Sequence, residues 1–117
     1  MQIGTSRLAA GLFTALAMSL TAGTASHALD GGLGADVVAS KMTPKQKNAY
    51  FAGVVEGLAY ARYIKDGKKT DPGMKCILDW YYESEGTAQK ITLALAKFET
   101  YPANAVIAAM VAKQCGD

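Results

Sequence analysis

The two cysteines, Cys76 and Cys115, are the feature that most constrains the fold of this chain. They lie 39 positions apart in a sequence of 117 residues, and two cysteines allow a single intrachain pairing. A bridge between them would close a loop of roughly 40 residues and stabilise the fold by about 4 kcal/mol in the chain-entropy model. Whether the bridge forms depends on the compartment, because a reducing cytosol keeps most thiols free.

The first 28 residues have the pattern of a secretory signal peptide. Arg7 is the one charged residue there, the run Leu8–Leu20 is nearly all apolar, and small residues flank the expected cleavage point before Leu29. The alternative is a membrane anchor, but this apolar run is shorter than the roughly 20 residues that span a bilayer. We therefore predict that residues 1–28 are removed. Residues 29–117 should form one domain, periplasmic or secreted, in which the two cysteines pair.

The ionisable residues of the remaining chain exclude several kinds of function. Without Arg7, 11 basic residues face 10 acidic ones, a net charge of +1 with no basic run, so nucleic acid is not an expected partner. The one histidine, His27, leaves with the leader, which removes histidine triads, histidine zinc sites and an imidazole base. The carboxylate pairs Glu83–Glu85 and Asp79–Glu83 are interpreted as solvated helix ends. We predict a protein that is not an enzyme, with no catalytic residues, metal or cofactor.

The strongest helix signal begins at Thr43. Thr43 can cap the helix, Pro44 suits the first helical position, and Gln46 completes a capping box. Lys65 falls in the last turn, and Gly67 stands where a left-handed cap is expected. A long helix between these signals is therefore predicted.

Further helices are predicted along the rest of the chain. One begins at Asp71 with Pro72 at its first position, and its apolar residues all round are typical of a central element. Another has Thr87 as its cap, a last one begins near Pro102, and residues 34–41 form either a short helix or an extended lead-in. No segment alternates with period two. We predict an all-α fold, a small compact domain of four or five helices with one disulfide.

Gly53 and Gly57 lie one turn apart inside the long predicted helix, where each costs roughly 1 kcal/mol relative to alanine. They share an arc with Tyr60 and Ile64, beside a core arc around Val55. We interpret them as helix-packing residues that let a neighbouring backbone or ring approach closely. A phosphate-binding loop is disfavoured, because its glycines lie in a strand-to-helix turn.

Aromatic residues are concentrated between positions 50 and 82. Three consecutive positions span about 200° of a helix, so at least one ring of Trp80, Tyr81 and Tyr82 should reach the surface. Tyrosine and tryptophan are frequent anchors at interfaces. The candidate protein-binding residues are Tyr60, Tyr63, Trp80, Tyr81, Tyr82 and Glu83. An equally open interpretation is that the exposed ring only covers the edge of the next helix.

Arg62 lies on the core arc of the long helix, near its end. We interpret it as a side chain whose stem packs while its charge reaches solvent. The alternatives are a buried ion pair with Asp79 or Glu83 and a guanidinium directed at a ligand.

The order of these segments resembles a known family. The stretch YFAGVVEGLAYARY, then Cys76 in MKCILDW, then a helix ending KFETYP and a last helix ending KQCG is similar to the small periplasmic Rap/Tai-type proteins. The resemblance runs from Tyr50 to Gly116, and its anchors are Gly53, Gly57, Cys76, Pro102 and Cys115. Known members are immunity proteins that neutralise cell-wall amidase effectors of type VI secretion. The resemblance therefore implies a non-enzymatic protein that binds an effector.

The chain is also similar in size, export and single disulfide to the HdeA-like acid-stress chaperones, which have a related helical fold. That alternative implies client proteins as partners and a switch driven by carboxylate protonation in acid. A third alternative is a homodimer formed through the aromatic residues. No membrane contact is expected after leader cleavage.

Overall fold

Five α-helices form the fold over residues 32–117, the part of the chain that a computed structural model describes. The predicted leader and residues 29–31 lie outside this range. The helices are α1 Ala35–Lys41, α2 Pro44–Lys65, α3 Gly73–Tyr82, α4 Thr87–Lys97 and α5 Ala103–Cys115. Between residues 32 and 117 there is no β-strand, and an isolated bridge joins Gly34 to Pro102. The predicted all-α class is confirmed, with five helices.

Both predicted ends of α2 are confirmed. The Gln46 N–H donates to Oγ1 of Thr43 at 3.2 Å, and the Thr43 N–H donates to Oε1 of Gln46 at 2.9 Å, so the capping box is complete. At the other end, Gly67 has a φ of 72°, and the Lys68 N–H donates to the Tyr63 carbonyl at 2.8 Å. These contacts satisfy backbone groups that a helix end leaves free.

The starts of α3 and α4 differ from the prediction. Helix α3 begins at Gly73 rather than at Asp71. Gly73 itself is buried. Thr87 does not cap α4, because Gly86 occupies the cap position with a φ of 75°. Thr87 is buried instead, and its hydroxyl donates to the Trp80 carbonyl at 2.7 Å. The nearby end of α3 thus provides the acceptor that a buried hydroxyl needs.

The most central helix is α5, which packs against each of the other four. Helix α3 was predicted to be central, but only Gly73 and Ile77 of α3 are buried. Trp80 and Tyr81 are half-buried and cover the edge of the core, since their rings are large and carry polar groups. Within residues 32–117, the buried hydrophobic residues are Ala35, Val38, Phe51, Val55, Ala59, Ile77, Ile91, Leu95, Ala103, Val106, Ile107 and Val111.

The predicted disulfide is present. Cys76 of α3 bonds to Cys115 at the end of α5, and their Cα atoms are 5.8 Å apart. The bridge therefore ties the last turn of the central helix to α3 and closes most of the C-terminal half of the chain into one loop.

Arg62 makes a contact that none of the sequence interpretations anticipated. Its Nη1 donates to the Gly116 carbonyl at 2.9 Å and to the Cys115 carbonyl at 3.4 Å, while its Nε binds Asp66 at 3.0 Å. Only 17% of the side chain is exposed and its guanidinium is bound to these groups, which differs from the predicted side chain whose charge reaches solvent. The last carbonyls of a helix lack intrahelical donors and carry partial negative charge, which explains their attraction for a guanidinium.

Candidate protein-binding face

One face of α2 is directed at solvent along its length. Gly53 and Gly57 are both exposed, and Tyr60 and Ile64 on the same arc expose 60% and 47% of their surface. The opposite side of α2, which includes Val55, is buried. We call the surface formed by Gly53, Gly57, Tyr60 and Ile64 the glycine face.

Within residues 32–117, no neighbouring element fills the space that a side chain at either glycine would occupy. A Cβ atom built on Gly53 or Gly57 would meet nothing within 4 Å. The predicted close packing of these glycines against a neighbour in the same chain is therefore wrong. Val54 and Leu58, on the adjoining arc of α2, pack against the core. The two glycines therefore lie at the edge of the contact between α2 and α5.

A shallow groove runs beside the glycine face. Its volume is about 540 Å³, and Asn104 and Ala108 of α5 form its far wall. The groove is shallow beside Gly53, Gly57 and Ala108, because none of these residues carries a side chain larger than a methyl group. A partner backbone or ring can therefore come close to α2 here.

A side-chain hydrogen bond fixes the opposite edge of the glycine face. The hydroxyl of Tyr82, at the end of α3, donates to Oε1 of Glu56 at 2.8 Å. This bond raises the pKa of Tyr82, with desolvation as a smaller cause. Glu56 lies one turn before Tyr60 on α2, so the bond holds the Tyr82 ring, which is 51% exposed, beside the face.

The structure separates the other aromatic candidates. Tyr63 is half-buried and stacks on Tyr60, with 5.9 Å between ring centroids and 30° between ring planes. Trp80 and Tyr81 pack against the core, and burial raises the pKa of Tyr81. Of the three consecutive aromatic residues only Tyr82 is exposed, so Tyr60, Tyr63 and Tyr82 are the candidates that come to the glycine face.

Glu83 lies elsewhere. It lines a separate depression with Lys75 and Asp79, next to the disulfide. Lys75 and Asp79 form an exposed ion pair, and the hydrogen bond to Asp79 is the main reason that the pKa of Lys75 is raised. Asp79 is thus bound by a lysine of its own helix, and Glu83 lines this depression rather than the groove beside the glycine face.

Two residues that matter here were not predicted. Glu56 gains a role only because Tyr82 of another helix reaches it. Gly73 packs closely against the end of α2, since a Cβ there would lie 2.5 Å from Oδ2 of Asp66 and 2.6 Å from Cγ of Arg62. Its position after Pro72 was explained by the start of a helix, so no separate sequence signal pointed to this contact.

No family model, curated protein or solved structure matches this chain. The resemblance to Rap/Tai-type proteins therefore stays a prediction. Within residues 32–117, no group of three histidine, cysteine or acidic side chains is placed to bind a metal ion. Over the same residues, no helix combines the length and the apolar character needed to cross a bilayer.

Proposed function

We propose that this protein is an exported, non-enzymatic binding module that recognises a partner protein through the glycine face. The observation that carries the proposal is the exposure of Gly53 and Gly57 in the middle of a 22-residue helix. Each glycine costs roughly 1 kcal/mol relative to alanine, and alanine would fit both positions without a contact. A contact with another molecule would explain why glycine, and not the more favourable alanine, stands at both positions.

The side chains around the glycines support a protein partner. Tyr60, Ile64 and Tyr82 supply aromatic and aliphatic surface of the kind that anchors interfaces. Glu56 adds an acceptor whose position is fixed by Tyr82. Side chains that are ordered before binding lose less conformational entropy on binding, which favours affinity.

The compartment and the partner class are part of the same proposal. The leader-like first 28 residues and the Cys76–Cys115 disulfide support an oxidising compartment such as the periplasm. Residues 29–117 contain no histidine, which supports a binding role over a catalytic one. The Rap/Tai resemblance then suggests a cell-wall amidase effector as the partner.

The test is a binding measurement against a panel of such amidases with a substitution that fills the glycine face. We expect one amidase to bind the purified protein, and Gly57→Leu to weaken that complex about 100-fold by blocking close approach. Ala96→Leu, the introduction of the same side chain at another exposed position, on α4, is the matched control and should bind as the unmodified protein does. Equal affinities of the Gly57→Leu and unmodified proteins would exclude the glycine face as the binding surface.

The acid-stress alternative makes a different prediction for the same protein. If no amidase binds, but the protein suppresses client aggregation below about pH 4, where carboxylates become protonated, the binding-module proposal is replaced by the chaperone alternative.

A further inference from the structure

A second surface, separate from the glycine face, is an apolar cleft between α4 and α5. Its volume is about 600 Å³, and it is lined chiefly by Ala94, Phe98, Tyr101, Val106, Ala109 and Met110. Phe98 and Tyr101 expose 44% and 57% of their surface and meet edge-on, with 6.2 Å between ring centroids. The small side chains leave the cleft open along the two helices, and the two rings form a wall at one end.

The wall at the aromatic end is held in place by the backbone. The Tyr101 N–H donates to the Phe98 carbonyl at 3.1 Å, and the Tyr101 carbonyl accepts the Ala35 N–H at 2.8 Å. The connection between α4 and α5 is thus fastened to the start of α1. The cleft is therefore formed before any ligand arrives.

Among residues 32–117, the one charged side chain that lines the cleft is basic, and two further lysines lie near it. Lys113 lines it directly, and Nζ of Lys97 lies 5.6 Å from the centroid of the Phe98 ring. Lys90 lies one turn before Ala94 on α4, on the same side of that helix. Glu99, which follows Phe98 in the sequence, lines a neighbouring depression that shares Tyr101 with the cleft. The rim of the cleft is therefore complementary to negative charge.

The two lysines that contact the cleft or its aromatic wall lie at opposite ends. Lys97 is next to the Phe98–Tyr101 connection, where α5 begins, and Lys113 lies ten residues after Ala103 on α5. Ten residues of helix span about 15 Å. A ligand with one anionic group can contact only one of these two lysines. A helix with carboxylates about three turns apart can contact both.

We propose that the α4–α5 cleft binds an acidic amphipathic helix of a partner protein. The apolar stripe of that helix would lie in the cleft, and acids near its two ends would meet Lys97 and Lys113. The helices of residues 32–117 do not offer such a segment in a second copy, because α1, α2 and α3 each contain one acid and α4 and α5 contain none. This proposal goes beyond the glycine face and does not depend on it.

The test uses a synthetic helical peptide of about 15 residues with an apolar stripe and glutamates about three turns apart. We expect it to bind the protein, expressed as the full chain and purified as the cell processes it, and to shift the NMR signals of Ala94, Ala109 and Met110. A matched peptide with lysines in place of both glutamates should bind at least about tenfold more weakly. Equal affinities of the acidic and basic peptides would overturn the proposal.

Variants of the protein test the cleft itself. Lys113→Glu should weaken the acidic peptide at least about fivefold, and a peptide with lysine at the corresponding end should recover that loss. Lys69→Glu, the same charge change in the α2–α3 connection, should leave peptide affinity unchanged. Ala109→Leu, which fills the cleft, should weaken binding about tenfold while the NMR spectrum remains that of the folded protein.

Other occupants give other results. Laurate, a single-chain fatty acid, would shift the same signals without any binding of the acidic peptide. If a second copy occupies the cleft, the measured mass will rise from that of a monomer to that of a dimer as the protein concentration increases. The NMR signals of the cleft residues will shift over the same range of concentration. Either result would overturn the acidic-helix proposal.

Discussion

At the scale of single residues, the hydrogen bond from Tyr82 to Glu56 is the contact that a titration can measure. It raises the pKa of Tyr82 above the ordinary value of 10.0, because the neutral hydroxyl donates to the carboxylate and a phenolate would be repelled by it. The folded pKa is higher than the unfolded one. The stability that this bond contributes is therefore fully present below pH 10.0 and is lost as the pH rises through the folded pKa.

The substitution Glu56→Gln keeps an acceptor near Tyr82 but removes the charge, so we expect the pKa of Tyr82 to fall toward 10.0. The absorbance of tyrosinate during a base titration measures the shift, and Tyr82→Phe identifies this group among the six tyrosines. Glu85→Gln, at an exposed site outside the contact, serves as the control and should not change the titration. An unchanged Tyr82 titration in Glu56→Gln would show that the contact is not made.

At the scale of helices, the glycines divide into two classes by their surroundings. Gly53 and Gly57 sit on an open face of α2, whereas Gly73 at the start of α3 is pressed against Arg62 and Asp66 near the end of α2. The pair Arg62–Asp66 also carries the contact to the end of α5. Gly73 thus allows α2, α3 and α5 to meet at one point.

Alanine substitutions should therefore have opposite effects on these helices. We expect Gly53→Ala and Gly57→Ala each to raise the free energy of unfolding by about 0.5–1 kcal/mol, since the methyl group meets no atom and helix propensity improves. Gly73→Ala should lower it by about 1–3 kcal/mol, because Arg62 and Asp66 must move. Urea unfolding of the three variants measures this contrast. Destabilisation by Gly53→Ala would mean that the glycine face is already packed in the free protein.

The same helices show which features could be predicted from sequence. The ends of α2 were predicted correctly, because Thr43, Gln46 and Gly67 act on backbone groups within a few residues of themselves. The disulfide followed from the count of two cysteines together with the leader pattern that predicts an oxidising compartment. The surroundings of Gly53 and Arg62 could not be predicted, since they depend on how α2 crosses α3 and α5, and no local pattern encodes a crossing angle.

The candidate site was predicted in part for the same reason. Tyr60 and Tyr82 were both named from composition, and both are exposed. Glu56 joins them to one surface, because it lies near Tyr60 on α2 and accepts the hydrogen bond of Tyr82. That bond depends on how α3 packs against α2, which no local sequence pattern encodes. Trp80 and Tyr81 point in other directions because successive residues of a helix are about 100° apart.

At the scale of the whole molecule, the end of α5 is held at two points. The disulfide joins Cys115 to α3, and Arg62 of α2 binds the carbonyls of Cys115 and Gly116. Because α5 packs against every other helix, fixing its last turn restrains the whole core. A small domain has only about 5–15 kcal/mol of stability in total, so each of these restraints matters.

Replacing both cysteines, Cys76→Ser with Cys115→Ser, should lower the free energy of unfolding by about 4 kcal/mol, because the unfolded chain regains the freedom of a loop of roughly 40 residues. The double variant should still fold at low temperature through the core and the Arg62 contact. Urea unfolding of both proteins, with and without a thiol reductant, measures the loss. Reductant should destabilise the unmodified protein to the level of the double variant and leave the double variant unchanged. Coinciding midpoints of the oxidised protein and the double variant would refute a stabilising role for the bridge.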